Sequence, residues 1–236
     1  MPKLRQAIDG EYGGLRIEVT EVGGGSDLMH VTARVYDHYG AEVGHATRSY
    51  YKNAEGLSVT HSKFRLDKHV RGNGCATEFN NAMFEWYKES GVSKVDLQAN
   101  IDVGSYAWAR QKFDLANPQQ AVDASEPRLK NEIDNAKGEV KSLEQERDSL
   151  PKGPEKKAMK LRVDQLHKEI EAAETMRDGF WVGSPDFPTA KAIADLGRPP
   201  GLLPEQARDF SWMGKRVFME PGKRIIWHGV KRLDEE

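Results

Sequence analysis

The sequence predicts an α/β fold: a mixed, mostly antiparallel sheet flanked by helices, with an antiparallel helical hairpin inserted into it. Three observations lead there. Short alternating runs bounded by glycine and turn residues fill the first part of the chain, as half-buried strands do. Two helical stretches then alternate with a further strand, the order of a sheet covered by helices. From residue 126 the apolar period changes to heptads, which suit packed helices and no strand.

The strands come first. Leu15 to Val22 ("LRIEVTEV") alternates apolar and polar side chains, and "GGGSD" turns the chain. Met29 to Asp37 and Val43 to Tyr51 read as two further strands, joined by the hairpin turn "HYGAE". Leu57 to Asp67 is a fourth. Thr77 to Glu89 reads as a helix, because Phe79, Met83, Trp86 and Tyr87 recur at helical spacing and Gly91 closes it. Val92 to Asn100 ("VSKVDLQAN") is a fifth strand, and Val103 to Lys112 a short second helix.

Residues 126–177 differ sharply. Leu129, Ile133, Ala136, Val140, Leu143, Arg147 and Leu150 step alternately by four and three, and so do Met159, Val163, Leu166, Ile170 and Ala173. The turn "LPKGP" between them makes an antiparallel hairpin, whose arms of roughly 24 residues would each reach about 36 Å. The other reading is a long solvated helix pair lying on the domain with its seam against the core. Residues 178–211 are loop-rich, with one short helix around Thr189 to Leu196. In 212–236 a returning strand, Arg216 to Glu220, and an aromatic tail are expected to complete the core begun at residues 11–115, which makes the hairpin an insertion.

Composition sets bounds. Net charge is −2, so no global basic field draws the chain to nucleic acid or anionic lipid. Hydrophobic residues make up 38% and charged ones 31%, polar for a compact fold and in keeping with solvated helices. The single cysteine, Cys75, excludes an intramolecular disulfide framework and a cysteine-rich zinc site, and fits a reducing compartment. No run of about 18 apolar residues occurs, and residues 1–10 hold no apolar stretch, so a cytoplasmic protein without a membrane span is expected.

The segment most suggestive of chemistry is "HVRGNGCATEFNN", a basic glycine loop leading into a helix. Such a loop offers backbone N–H groups and a positive dipole end to a phosphate. Arg71 adds a cation, and Gly72 and Gly74 let the backbone come close. It is neither a P-loop, having no Lys-Ser/Thr after it, nor a G-x-G-x-x-G loop, having Thr77 in the third glycine's place. Taken alone it fits an ordinary strand-to-helix turn equally well.

With its neighbours, however, "FRLDKHVRGNGCATEF" resembles the acyl-CoA-binding motif of the GNAT N-acetyltransferase superfamily, Arg/Gln-x-x-Gly-x-Gly/Ala, met here by Arg71, Gly74 and Ala76, with Leu66 five positions upstream. The family's second motif is an Asn ending the next strand, then a short helix closing on Tyr-x-x-x-Gly-Phe. It is similar to Asn100 and "YAWARQKF" here. The resemblance covers residues 15–115, and weakly 212–220. "NIDVGSYAWARQKFD" also looks like GNAT-like domains from bacteriophages and bacterial toxins.

The resemblance implies that the fourth and fifth strands part and that acetyl-CoA, or another acyl-CoA, lies between them as co-substrate. The backbone of Phe64, Arg65 and Leu66 would pair with the pantetheine amides. The amides of Gly72, Asn73, Gly74, Cys75, Ala76 and Thr77, with the Arg71 cation beside them, would hold the pyrophosphate, and Asn100 would contact the pantetheine arm. An amine attacks the thioester directly, a strand N–H polarises the carbonyl, and no metal is required. The departures are Trp108, where the family's thiolate-protonating Tyr stands, and Lys112, where a Gly precedes Phe113. Tyr106, two residues before Trp108, becomes the candidate acid, and Trp108 a wall of the cofactor cleft or of the core. Asp96 shares one strand face with Gln98 and Asn100 and could relay the amine's proton through water. His45 and His61 read as surface or satisfied histidines. Cys75 reads as a packing residue, with a thiol that the helix terminus could acidify.

The expectation is therefore an acyl-CoA-dependent N-acyltransferase. Its acceptor is open: a protein amine, aminoacyl-tRNA or a small amine. The rival is a catalytically degenerate GNAT fold that meets a protein partner, or a second copy, through the hairpin at 126–177.

Overall fold

The computed structural model of this chain describes residues 2–54, 56–99, 104–202, 206–208, 210–219 and 226–233. The chain divides into two compact units, Met1–Gln98 with His228–Glu236, and Ala99–Trp227.

The first unit carries the mixed, mostly antiparallel sheet. Its strands are β1 (Gly10–Tyr12), β2 (Leu15–Gly24), β3 (Leu28–Tyr36), β4 (Glu42–Asn53), β5 (Gly56–Leu66), β6 (Val92–Ala99) and, late in the chain, β8 (Trp227–Arg232), lying in the order β1-β2-β3-β4-β5-β6-β8. β1 to β5 pair antiparallel in succession, and β5 pairs with β6 in parallel. Alternation places the core. Ile17, Val19, Val31, Ala33, Val35, Ala46, Tyr50 and Val59 are buried, and polar side chains fill the positions between them.

Helix α2 (Cys75–Glu89) supplies Phe79, Met83, Phe84 and Tyr87 to that core. Each such side chain contributes about 1.5–3 kcal/mol by leaving water. α2 begins two residues before the expected Thr77. Its N-cap is Gly74, in the left-handed conformation and without a capping side chain, so the usual Ser/Thr/Asp sign of a helix start is missing. A further helix, α1 (Pro2–Ile8), was not foreseen. It buries Leu4 and Ile8, one turn apart. Arg5 donates to the Val19 carbonyl at 2.6 Å, and Asp9 accepts from the Val19 N–H at 2.6 Å, which satisfies the backbone beside a bulge between Val19 and Glu21.

The second unit holds α3 (Gly104–Arg110), the two-residue β7 (Asp114–Leu115), the long helices α4 (Pro118–Ser149) and α5 (Pro154–Asp178), then α6 (Ala190–Asp195) and α7 (Met213–Met219). α4 starts well before residue 126. Asn117 caps it, accepting from the Gln120 N–H at 3.1 Å, and Pro127 lies inside it, giving up one backbone donor without ending the helix. The two helices pack along the heptad seam. Leu129, Ile133, Ala136 and Val140 are buried on α4, and Val163, Leu166, Ile170 and Ala173 on α5. Lys137–Glu174 at 2.7 Å and Arg162–Glu139 at 2.9 Å bridge the helices in the antiparallel sense.

The strand expected over Arg216 to Glu220 is corrected: Met213–Met219 is helix α7, and Glu220 lies outside the described residues. Met213, Gly214, Val217 and Phe218 are its buried residues, spaced i, i+1, i+4, i+5, which is a helical face. Gly214 sits tight on α6: an added Cβ would fall 2.0 Å from the Ile193 carbonyl oxygen. Arg216 reaches Glu132 at 2.6 Å and Arg128 the Val217 carbonyl at 3.2 Å, which ties α7 to α4. No helix among the described residues is long and apolar enough to cross a membrane.

Candidate functional site

The site is built around β5. Its parallel register with β6 runs from Leu57–Val92 to His61–Leu97 and stops there, although both strands continue. Among the described residues, the β6-side edge of residues 62–66 is therefore left without that partner. An open strand edge is a template for an extended ligand whose amides can complete the ladder.

A bulge accompanies the opening. On β4, Thr47 pairs with Lys63 and Arg48 with His61, so Ser62 has no opposite number. The extra residue resets the alternation. His61 faces α2, stacked on Phe84 at 5.9 Å and bonded to the Tyr87 hydroxyl at 3.2 Å. The next side chain on that face is Phe64, 5.6 Å from Phe79, followed by buried Leu66. On the opposite face Ser62 Oγ lies 3.3 Å from Ser49 Oγ, which lies 2.9 Å from His30 Nδ1.

β5 ends on the glycine loop. A single 3-10 turn, Lys68–Val70, leads into it. Arg71 Nε donates to the Leu66 carbonyl at 2.7 Å, folding the loop back on the strand end. Gly72 (φ 90°) and Gly74 (φ 89°) take left-handed backbone that other residues rarely adopt. The Thr77 and Glu78 amides already bond to the Gly74 carbonyl at 2.9 and 3.0 Å. The amides that precede them in the first turn have no intrahelical acceptor and are the groups suited to an anion.

Two neighbours of the loop were not foreseen. Gly13, in the β1–β2 turn, lies so near that an added Cβ would meet the Cys75 nitrogen at 2.4 Å and the Asn73 oxygen at 2.7 Å. Its N–H donates to Glu78 at 2.7 Å, so a carboxylate already stands at the first turn of α2. No local pattern joins residue 13 to residues 73–78. The thiol expectation is corrected as well. Burial, with Glu78 adding to it, pushes Cys75 up to about 11, and the side chain is buried. It is a packing residue with a protonated thiol.

Asp96 pairs with Thr60 on β5, and Lys94 Nζ stands 3.2 Å from its carboxylate. Asn100 lies outside the described residues. Tyr106 and Trp108 belong to the second unit. Tyr106 rests edge-on against Trp212 at 5.7 Å, and burial raises its pKa, against the opposing pull of neighbouring Arg110. It is thus a protonated phenol at neutral pH. Trp108 packs edge-on against Phe113 at 5.4 Å. Among the described residues Lys112 is the non-glycine residue with positive φ, 60°, at the position where the resembling family places glycine. Among the described residues no group of three His, Cys, Asp or Glu side chains is placed to hold a metal ion.

No family model matches this chain, and no curated protein does. Solved structures do. Part of the chain is similar to an acetyltransferase from Bacillus cereus ATCC 14579, with 15% identity, TM-score 0.33, and coverage of 38% of this chain and 61% of that one. It is also similar to nourseothricin acetyltransferase, with 18% identity, TM-score 0.31, and coverage of 50% and 81%. The matched region thus spans less than two thirds of the first of these. The functional reading must come from the chain's own geometry.

Proposed function

We propose that the first unit binds an acyl-CoA along the open edge of β5, and that the protein is an N-acyltransferase moving an acetyl group from acetyl-CoA to a primary amine. The observation that carries this reading is the coincidence of two features on one strand. The β5–β6 ladder stops at His61–Leu97, and the same strand then runs into a glycine loop at a helix N-terminus. The first suits the amides of a pantetheine arm, the second its pyrophosphate.

In this proposal the backbone of Phe64, Arg65 and Leu66 pairs with pantetheine. Arg71 and the amides through Thr77 take the pyrophosphate. The acceptor ammonium first gives up a proton, for which Asp96, through water, is the proposed base. The amine lone pair then attacks the thioester carbonyl carbon, and a β5 N–H stabilises the oxyanion. The C–S bond breaks, the attacking nitrogen gives its second proton to water to leave a neutral amide, and the CoA thiolate takes a proton, for which Tyr106 is the proposed acid. Asn100 and Trp108 are proposed as further cofactor contacts. The acceptor is a primary amine of a protein, of aminoacyl-tRNA or of a small molecule. The hairpin is proposed as the contact to a macromolecular partner or a second copy, and the setting as cytoplasmic.

A second reading, acyl-CoA binding or a partner-binding module without turnover, is favoured by the engagement of Asp96 with Lys94 and by Glu78 at the pyrophosphate end.

The test is isothermal titration of acetyl-CoA and CoA into wild type and Gly74→Glu, with circular dichroism as a control for folding. Wild type is expected to bind in the micromolar range. A folded Gly74→Glu is expected to lose binding, because the side chain fills the loop and adds a repelling charge. Undiminished affinity in that variant removes the loop assignment. Binding without thiol release across an amine panel selects the second reading.

A further inference from the structure

Arg48 is the anomaly of the first unit. It is 2% exposed, at the centre of the sheet on the α2 side, and among the described residues no carboxylate pairs with it. Burial lowers its pKa, and the groups that oppose this are the Tyr87 and Tyr50 phenols, not an acid. A desolvated guanidinium without a counter-ion is costly and persists only where its donors meet a specific need. Its Nη1 donates to the Lys63 carbonyl at 2.9 Å and to the Thr47 carbonyl at 3.1 Å. Its Nη2 donates to Asn80 Oδ1, on α2, at 3.2 Å. Its Cζ stands beside the Phe64–Phe79 pair, 5.8 and 5.7 Å from the two ring centres, where aromatic faces favour a cation.

Thr47 and Lys63 are the pair that closes the Ser62 bulge. A bulge disrupts the local ladder and leaves backbone groups to be satisfied. The guanidinium bonds a carbonyl on each strand at that pair and fastens both to α2.

We propose that Arg48 is a positioning residue of the acyl site: from within the core it holds the bulge that aims the backbone of residues 62–66, and the Phe64 ring, at the thioester end of the acyl-CoA. This rests on the acyltransferase reading for the identity of the ligand; the bulge itself does not depend on it. The planar fork matters more than the charge. A lysine ammonium is a point donor on a flexible stem and cannot match a rigid fork whose two Nη atoms reach acceptors on β4, β5 and α2.

The experiment compares wild type, Arg48→Lys and Arg48→Met as full chains by two readouts. The first is amide hydrogen exchange without ligand. In both variants the amides of 62–66 are expected to exchange at least about tenfold faster than in wild type, with β2, β3 and the α4–α5 hairpin unchanged. The second is the infrared carbonyl stretch of carbonyl-labelled acetyl-CoA. On wild type it is expected to fall below its value in water, and on both variants to return towards it, with CoA affinity retained. Unchanged exchange over 62–66 in a folded variant overturns the proposal, as does an unshifted bound stretch between wild type and variants. Full recovery in Arg48→Lys overturns the role of the fork. If wild type binds no acetyl-CoA, the acyltransferase reading fails and the exchange arm alone decides the bulge. If Arg48→Met does not fold, Arg48→Lys decides both arms.

Discussion

At the residue scale, two side chains carry energetic strain that solution measurements can read. His61 is held well below its ordinary pKa by burial, with the Arg48 charge adding to the effect. The unfolded chain takes a proton at this residue near pH 6.5, and the folded chain does not. Stability is therefore full above that pH and falls as pH drops below it, by at most about 1.4 kcal/mol per pH unit from this group. Urea unfolding at pH 7.5, 6 and 5 is expected to show the slope. His61→Phe, which keeps an aromatic ring on Phe84, is expected to flatten it; an equal slope in both proteins would clear His61. Lys112 holds φ at 60°, which costs a non-glycine residue roughly 1–2 kcal/mol. Lys112→Gly should thus raise the urea midpoint, by a stability gain of about 0.5–1 kcal/mol after glycine's greater entropy loss. A lower midpoint would mean that the lysine side chain compensates locally.

At the element scale, the heptad seam is a clean case of pattern dictating structure. A stripe of apolar residues at steps of four and three can be buried only by another helix, so a chain that turns back on itself pairs its own stripes. Leu166 is 2% exposed on the seam, and Leu161 is 63% exposed on the same helix. Leu166→Ala should cost about 2–4 kcal/mol, and Leu161→Ala no more than about 0.5 kcal/mol. Helical circular dichroism followed through a denaturant titration compares the two. Equal costs would mean that the seam is not what holds the hairpin. The glycine loop shows the opposite case. "RGNG" announced a turn with positive φ, but Glu78 and Gly13, which shape its mouth, come from a helix turn and a distant β-turn.

At the scale of the whole molecule, turnover is the prediction that matters. If Tyr106 is the acid, Tyr106→Phe should lower thiol release from acetyl-CoA by roughly 10²-fold or more, in line with the loss of a general acid, while CoA affinity by titration stays near wild type. Unchanged release clears Tyr106 of that role and leaves its edge-on contact with Trp212 as its function. The two roles are separable by experiment, because Gly74→Glu is expected to remove binding and Tyr106→Phe to leave it near wild type.

What the sequence by itself determined is whatever depends on local period and backbone freedom. The alternating runs settled five strands to within two residues at their ends, the 3.6-residue spacing settled α2, the heptads settled α4 and α5, and glycine settled where the loop after β5 could turn. What only the tertiary structure decided depends on partners far away in sequence. "WMGKRVFM" is too short for its spacing alone to decide, and it is helical because α4 and α6 offer its buried face a surface. The strand that does return, Trp227–Arg232, lies beside β6 more than a hundred residues upstream. The Ser62 bulge, the end of the ladder at His61–Leu97 and the burial of Arg48 leave no mark in composition or spacing. A strand's sequence encodes which faces it presents, but the length of its pairing and the acceptors that reward a buried charge are set by the neighbours that folding brings to it.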